Sequence, residues 1–191
     1  MRGRLLGGIL ASSLVLSGCG SASTGPPSTP TCDPKTHGDV LTLIAQSVPS
    51  ATLIPCIAEF PAGWTFGGER FESGHSEFWL DSDRAGLRAV TVTLDRTCDT
   101  TGAIRIPVEP DEAGTVRSER PRVLPPEFSG DRFYTFPGGC VTYRFAFRPG
   151  SSFTQALEAT EALTFFSRAK GVKMLRDMGQ KLCGAGVDCP G

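Results

Sequence analysis

The chain has 191 residues and contains 19 lysines and arginines and 20 aspartates and glutamates, so its formal net charge at pH 7 is −1. This balance argues against a nucleic-acid-binding protein, because such proteins carry an excess of basic residues. The length suits one domain with a substantial hydrophobic core.

The first 18 residues have the three parts of an export signal. Arg2 and Arg4 supply positive charge, an apolar stretch ends at Leu16, and two small residues precede Cys19. A membrane-spanning helix needs ~20 apolar residues, which this stretch does not reach. The pattern therefore predicts a signal peptide over residues 1–18 rather than a transmembrane helix.

The end of this segment, Leu16-Ser17-Gly18-Cys19, resembles the lipobox of bacterial lipoproteins. The resemblance implies that Cys19 receives a thioether-linked diacylglycerol and becomes the acylated first residue after cleavage. Two or more acyl chains anchor a protein stably to a bilayer. We therefore expect the membrane as a partner, through this lipid anchor, and a location on the outward-facing side of the cell membrane.

Residues 20–31, "GSASTGPPSTPT", contain no large apolar side chain. Their glycine, serine, threonine and proline content is typical of a flexible linker. Residues 19–31 are thus predicted to be a lipidated cysteine with its tether, and residues 32–191 a single domain.

Six cysteines remain once Cys19 is assigned to the lipid, an even number that indicates disulfides in an exported protein. Six cysteines allow 15 connectivities, and the sequence does not choose among them. We predict nearest-neighbour pairing, which gives Cys32–Cys56, Cys98–Cys140 and Cys183–Cys189.

The domain opens with a predicted short helix over residues 37–48, followed by strands. Apolar residues alternate on both sides of a turn at 81–86, which predicts a hairpin. The clearest strand is "CVTYRFAFR", where Val141, Tyr143 and Phe145 share one face. Weaker strands are predicted over 64–72, 103–108 and 132–136. The proline-rich stretch 109–130 is predicted to be mostly loop.

The last third of the chain changes to a helical period. Apolar residues step by three or four from Phe153 to Phe166 and again from Val172 to Leu182, which predicts either one long amphipathic helix or two consecutive ones with a break near Gly171. Strands followed by helices indicate an α+β fold. We expect an antiparallel sheet with the N-terminal helix and the C-terminal helices on one face, stabilised by disulfides.

Three stretches, "IPCIAEFPAGW", "FWLDSDRAG" and "FPGGCVTYRF", are similar to segments of uncharacterised actinobacterial envelope proteins. The similarity covers most of residues 52–148. It implies a cell-envelope family and brings no activity with it.

The candidate surface site lies on the first hairpin strand. There, His75, Glu77, Trp79 and Asp81 point the same way because side chains alternate along a strand. A histidine and a carboxylate two residues apart can act as an acid–base pair or share a metal ion. The alternative is the solvent face of a half-buried hairpin, and one histidine is too few for a transition-metal site. The sequence has no phosphate-loop or dinucleotide motif and no serine-hydrolase elbow, so we predict no cofactor and no catalytic residues.

These features predict a lipid-anchored, non-enzymatic cell-envelope protein that binds a partner protein, a wall component or a small ligand. Two alternatives stay open. One is a weak metal-dependent or acid–base hydrolase centred on His75, Glu77 and Asp81. The other is a carrier of an apolar ligand, held between sheet and helices beside Phe145 and Phe166.

Overall fold

A seven-stranded antiparallel sheet organises the computed structural model, which describes residues 29–177, 179 and 181–182. The elements in chain order are α1 (Pro34–Ser47), β1 (Leu53–Ile57), β2 (Trp64–Glu72), β3 (His75–Ser82), β4 (Gly86–Asp95), β5 (Ile104–Arg105), a 3₁₀ turn (Pro110–Glu112), β6 (Val116–Val123), β7 (Ser129–Phe136), β8 (Gly139–Ala146), α2 (Phe153–Ala162), β9 (Leu163–Ser167) and α3 (Arg168–Asp177). The predicted α+β fold is confirmed. The predictions for Cys19, for the signal peptide and for Cys183–Cys189 lie outside the described residues.

The large sheet has the strand order β2-β3-β4-β8-β7-β6-β5, and all of its neighbouring strands are antiparallel. The predicted hairpin is β3 with β4, in which Phe78 lies opposite Val92 and both are buried. The strongest sequence pattern forms β8, and β8 pairs with β4 on one side and β7 on the other. Strict alternation therefore gives this sheet one apolar and one polar face.

The core lies on the apolar face of the sheet. Ile44 and Val48 of α1 and Ala156 of α2 are completely buried in the same cluster as Val141 and Phe145 of β8. A second sheet of two antiparallel strands, β1 and β9, adds to this layer. The predicted placement of the helices on one face is therefore confirmed, while the other face of the sheet stays open.

Two predicted regions are wrong in their secondary structure. The stretch 109–130 is not mostly loop, because 116–123 forms β6 and pairs with β7. Pro121, which cannot donate a ladder hydrogen bond, lies beside a register shift, where a strand tolerates proline.

The second correction concerns the segment that follows α2. Residues 163–167, "LTFFS", form β9 rather than continuing a helix, and α3 passes through Gly171 without a break. Apolar residues in this segment fit the helical period, but threonine and two phenylalanines favour a strand once β1 offers its edge. The break between the helices thus lies before Arg168, whose buried guanidinium donates to the carbonyl of Ala45 at 2.8 Å.

Two of the predicted disulfides are present. Cys32–Cys56 joins the segment before α1 to β1, and Cys98–Cys140 joins the loop after β4 to the start of β8. Nearest-neighbour pairing is confirmed for both. Among the described helices, none is long and apolar enough to cross a membrane.

Candidate functional site: a polar groove on the open face of the sheet

The polar face of the large sheet carries a groove of about 310 Å³. We call it the open-face groove and define it by the residues that the argument uses, which are His75, Glu77, Thr93, Asp95, Arg120, Asp131 and Arg144. The alternation that buries Phe78 and Val92 turns these side chains to the opposite face. Five neighbouring strands, β3, β4, β8, β7 and β6, therefore contribute to one surface.

The loop 96–103 forms one wall of the groove. It connects β4 to β5, and the strands β8, β7 and β6 stand between these two in the sheet, so the loop has to cross them. Cys98 fixes it to Cys140 of β8, and the carbonyl of Thr101 accepts a hydrogen bond from Arg120 at 3.0 Å. The Cys98–Cys140 disulfide thus holds a boundary of the groove as well as the fold.

A histidine–aspartate pair lies on the β3–β4 side of the groove. His75 Nδ1 is 2.7 Å from Asp95 Oδ1, because the register of β3 and β4 places the two residues directly opposite each other. Thr93 donates its hydroxyl to the other oxygen of Asp95 at 3.0 Å. Within the part of the chain that the structure describes, Nε2 of His75 has no hydrogen-bond partner. This pair orients the ring and leaves one ring nitrogen available.

The four residues predicted as a site share one face but do not act together. His75 pairs with Asp95, whereas Glu77, Trp79 and Asp81 surround Arg88. The Arg88 guanidinium lies 3.8 Å from the centre of the Trp79 ring and 3.6 Å from a Glu77 oxygen. Its backbone N–H donates to Asp81 at 2.7 Å. Trp79 and Asp81 thus support the hairpin, and His75 and Glu77 line the groove.

At the other end of the groove, three arginines surround one buried carboxylate. Asp131 of β7 accepts hydrogen bonds from Arg122 at 2.9 Å, from Arg120 at 3.3 Å and from Arg144 at 3.3 Å. The Asp131 side chain is only 3% exposed, while the Arg144 side chain is 61% exposed. The site therefore has a basic end around Asp131 and an acidic end with Glu77 and Asp95.

Asp99 contributes a firmly ionised carboxylate on the loop 96–103, near Arg120. Hydrogen bonds from the side chain and backbone of Thr101 lower the pKa of Asp99, and its exposure lets solvent reach it. The backbone N–H of Thr101 lies 3.0 Å from Asp99 Oδ1. Within the described residues, no group of three histidine, cysteine or acidic side chains is arranged to hold a metal ion.

A second buried polar network lies outside the groove. Glu112 is buried and accepts hydrogen bonds from the Tyr134 hydroxyl at 2.8 Å and from Arg117 at 3.0 Å. Arg132 donates to Glu119 at 2.8 Å. Although burial alone would lower the pKa of Arg132, the neighbouring Tyr134 and Glu119 raise it overall. These groups bond to one another, with Nε of Arg117 the one buried network atom that has no partner among the described residues, and their role is structural.

Sequence reasoning missed the basic end of the groove. Alternation along β8 puts Arg144 on the face opposite Val141, Tyr143 and Phe145, but Arg120 and Arg122 fall in the stretch 109–130 that is predicted to be mostly loop. Only the pairing of β6 with β7 and of β7 with β8 brings them to Asp131. The missing signal was the extended run "VRSERPRV", in which Arg120 and Arg122 are two residues apart and so share one face of β6.

Comparison of the chain with protein-family models, with curated proteins and with solved structures finds no match.

Proposed function

We propose that this chain is a lipid-anchored, non-enzymatic binding domain of the cell envelope. Cys19 holds it to the outward-facing side of the membrane, and the open-face groove captures a polar ligand or partner. The observation that carries the proposal is the groove itself, a concave surface on the sheet face opposite the helices, bounded by the loop 96–103. Its volume is at the lower end of the ~300–1,000 Å³ typical of small-ligand sites.

The disulfides support an exported location. Cys32–Cys56 and Cys98–Cys140 require an oxidising compartment, such as the space outside the bacterial cytoplasmic membrane. The lipobox-like stretch that ends at Cys19 supports anchoring. A Cys19→Ser variant should leave the membrane fraction, and its retention there would count against the lipid anchor.

Native mass spectrometry of the full chain, extracted from its own membranes in mild detergent without reductant, tests capture by the groove. Thr93→Phe adds a ring on the groove floor, while Thr65→Phe makes the same change at an exposed position of β2. We expect the wild-type chain and Thr65→Phe to retain the same bound mass and Thr93→Phe to lose it. A bound mass that survives in Thr93→Phe, or the lack of any bound mass, would contradict the proposal.

The second candidate is a hydrolase, and the observation that favours it is the His75–Asp95 pair at 2.7 Å. In serine and cysteine hydrolases, a carboxylate orients the histidine that acts as general base. Such a mechanism would also need a nucleophile or a bound water at the other ring nitrogen. Turnover of chromogenic esters by the wild-type chain that disappears in folded His75→Ala would favour the enzyme, and equal rates in the two would favour the binding domain.

The apolar-carrier alternative depends on space beside Phe145. That ring is fully buried and contacts Phe128 at 5.5 Å and Phe147 at 5.9 Å between ring centres. The interior next to Phe145 is thus filled by side chains of the protein itself. For this reason we favour the groove over an internal cavity.

A further inference from the structure

The basic end of the open-face groove combines three cations with one anion. Asp131 offers two carboxylate oxygens, and each of the three arginines around it uses only part of its donor set. Arg144 bonds through Nε, which leaves its two terminal nitrogens without a partner among the described residues. Arg122 bonds through one terminal nitrogen only.

The exposure of the two partners indicates where the spare donors point. The Asp131 carboxylate is 3% exposed and lies beneath the guanidiniums, whereas Arg144 and Arg122 are 61% and 46% exposed. One negative charge therefore fixes three positive ones, which would otherwise repel each other and move apart. Because guanidinium groups bind carboxylate and phosphate through paired N–H groups, this arrangement is preorganised for a second anion.

The opposite end of the groove has the reverse character. Glu77 and Asp95 present carboxylate oxygens, which accept hydrogen bonds, and Thr91 and Thr93 line the floor between the two ends. A ligand with a single anionic group would avoid the acidic end unless the rest of its structure donates hydrogen bonds. Hydroxyl groups meet this requirement.

We propose that the groove binds a small polyhydroxylated molecule that carries one oxyanion, either a phosphate or a carboxylate, as in a sugar phosphate or a sugar acid. Arg144, which lines the groove, holds the oxyanion, Asp131 is its positioning residue, and the hydroxyl groups donate to the acidic end. This inference rests on the proposed binding function and names the chemical class of its ligand.

Isothermal titration calorimetry of the full chain in non-reducing buffer tests the proposal with four probes. These are glucose 6-phosphate, glucuronate, inorganic phosphate and glucose. We expect the sugar phosphate, the sugar acid or both to bind at least ~10-fold more tightly than inorganic phosphate. Glucose should bind at least ~10-fold more weakly than whichever anionic sugar has the higher affinity. The phosphate and carboxylate arms identify which oxyanion the arginines prefer. The inference would be overturned if glucose bound as tightly as glucose 6-phosphate and glucuronate. It would also be overturned if neither of these two anionic sugars showed saturable binding.

Matched arginine variants separate a specific site from general charge attraction. Arg144→Gln removes one groove guanidinium, and Arg70→Gln removes one equally exposed guanidinium on β2, which pairs with Glu72 outside the groove. We expect Arg144→Gln to bind the anionic sugar at least ~10-fold more weakly and Arg70→Gln to bind it with unchanged affinity. Arg144→Lys should have an intermediate affinity, because lysine keeps the charge but lacks the paired donors. Equal losses in the first two variants would contradict a specific site.

The failure of this inference differs from the failure of the proposed function. If anions do not bind but Thr93→Phe still abolishes the mass retained from the membrane, the groove captures a ligand of another class, and only the inference is wrong. If Thr93→Phe changes neither measurement, both are wrong.

Discussion

The guanidinium of Arg88 lies 3.8 Å from the centre of the Trp79 ring, at the rim of the sheet face that carries the groove. Arg88 has a left-handed backbone, with φ of 47°, and its N–H donates to Asp81. On the other side, the Trp79 indole packs against Gly67 and Gly68 of β2. Trp79 is thus held between an arginine and a pair of glycines, which explains why it supports the hairpin instead of lining the groove.

Gly67→Ala should destabilise the fold. A Cβ at Gly67 would lie 2.5 Å from Cδ1 and Nε1 of Trp79, and β2 has to move or the ring has to leave its place. Forced overpacking of this kind costs about 1–3 kcal/mol of the free energy of unfolding. Urea titration followed by circular dichroism gives the value. The control is the same substitution in a Trp79→Leu background, where the part of the cost that comes from the ring should disappear, while the close approach of the new Cβ to Asp81 Oδ1, at 2.8 Å, remains. An unchanged cost would show that Trp79 is not its cause.

Removing either disulfide should lower stability, but only one removal should affect binding. On the chain-entropy model, Cys98→Ser with Cys140→Ser costs about 4 kcal/mol, and Cys32→Ser with Cys56→Ser costs slightly less, because the closed loops differ modestly in length. Urea unfolding measures both. Only the first pair of substitutions frees the loop 96–103, so it should also weaken capture by the groove. Equal effects of the two removals on capture would contradict the role of that loop as a wall.

The sequence predicts the parts of the fold that have strict local periods. The burial of β3 alternates along the whole strand, and that of β8 alternates only from Tyr143 to Ala146, since its first five residues are all buried. Segment 163–167 could not be assigned in this way, because the spacing of its apolar residues fits a helix. It forms a strand because it pairs with the edge of β1, which the sequence of the segment does not show. The strand β6 was not predicted because the stretch around it is rich in proline, and such a stretch is typical of a loop when no partner strand is known.

The candidate site was predictable only in part, for a related reason. Alternation along β3 correctly places His75 and Glu77 on one face, but the partner of His75 is 20 residues away, and only the strand register brings Asp95 opposite. The arginine cluster depends on two further pairings, β6 with β7 and β7 with β8. Contacts that rely on several long-range registers are not visible in the local spacing of residues.

Tyr134 should resist ionisation in the folded protein. Burial raises the pKa of Tyr134 above the ordinary value, and its hydrogen bond to Glu112 raises it further, although the positive charge of Arg132 acts in the opposite direction. The chain has two tyrosines, so absorbance at 295 nm in a Tyr143→Phe variant reports Tyr134 alone. We expect no tyrosinate signal near pH 10 until the protein unfolds. A reversible titration near pH 10 with intact circular dichroism would contradict this.

The same shift has a consequence for stability, with a definite sign. A raised pKa means that the folded protein holds the Tyr134 proton at a pH where the unfolded chain releases it. The contribution is therefore complete below the unfolded value, near 10, and is lost as the pH rises from there toward the folded value. Tyr134→Phe should flatten the decline in unfolding free energy above pH 10, measured in urea at several pH values. An equally steep decline in Tyr134→Phe would show that other ionisable groups cause the loss of unfolding free energy above pH 10.

Asp131→Asn should be the most costly single change on the open face. Asparagine keeps the size of the side chain but removes the charge that holds Arg120, Arg122 and Arg144 together. Breaking a fully buried ion pair costs about 3–5 kcal/mol, and because these arginines can turn toward solvent we expect about 2–4 kcal/mol. Asp83→Asn is the control. The Asp83 side chain is 68% exposed, and its Oδ1 makes a long ion pair of 3.6 Å with Nε of Arg84, so losing its charge should lower the free energy of unfolding by less than about 1 kcal/mol.

Salt and a second substitution can show whether the Asp131→Asn cost arises from the arginine charges. Mutual repulsion of exposed guanidiniums is screened at 1 M NaCl, where the Debye length falls to ~3 Å, so the difference between Asp131→Asn and the wild type should shrink. Adding Arg144→Gln to Asp131→Asn should recover part of the loss by removing one of the three charges. A cost that neither salt nor Arg144→Gln reduces would mean that Asp131 acts through packing, and the positioning role assigned to it would then fail.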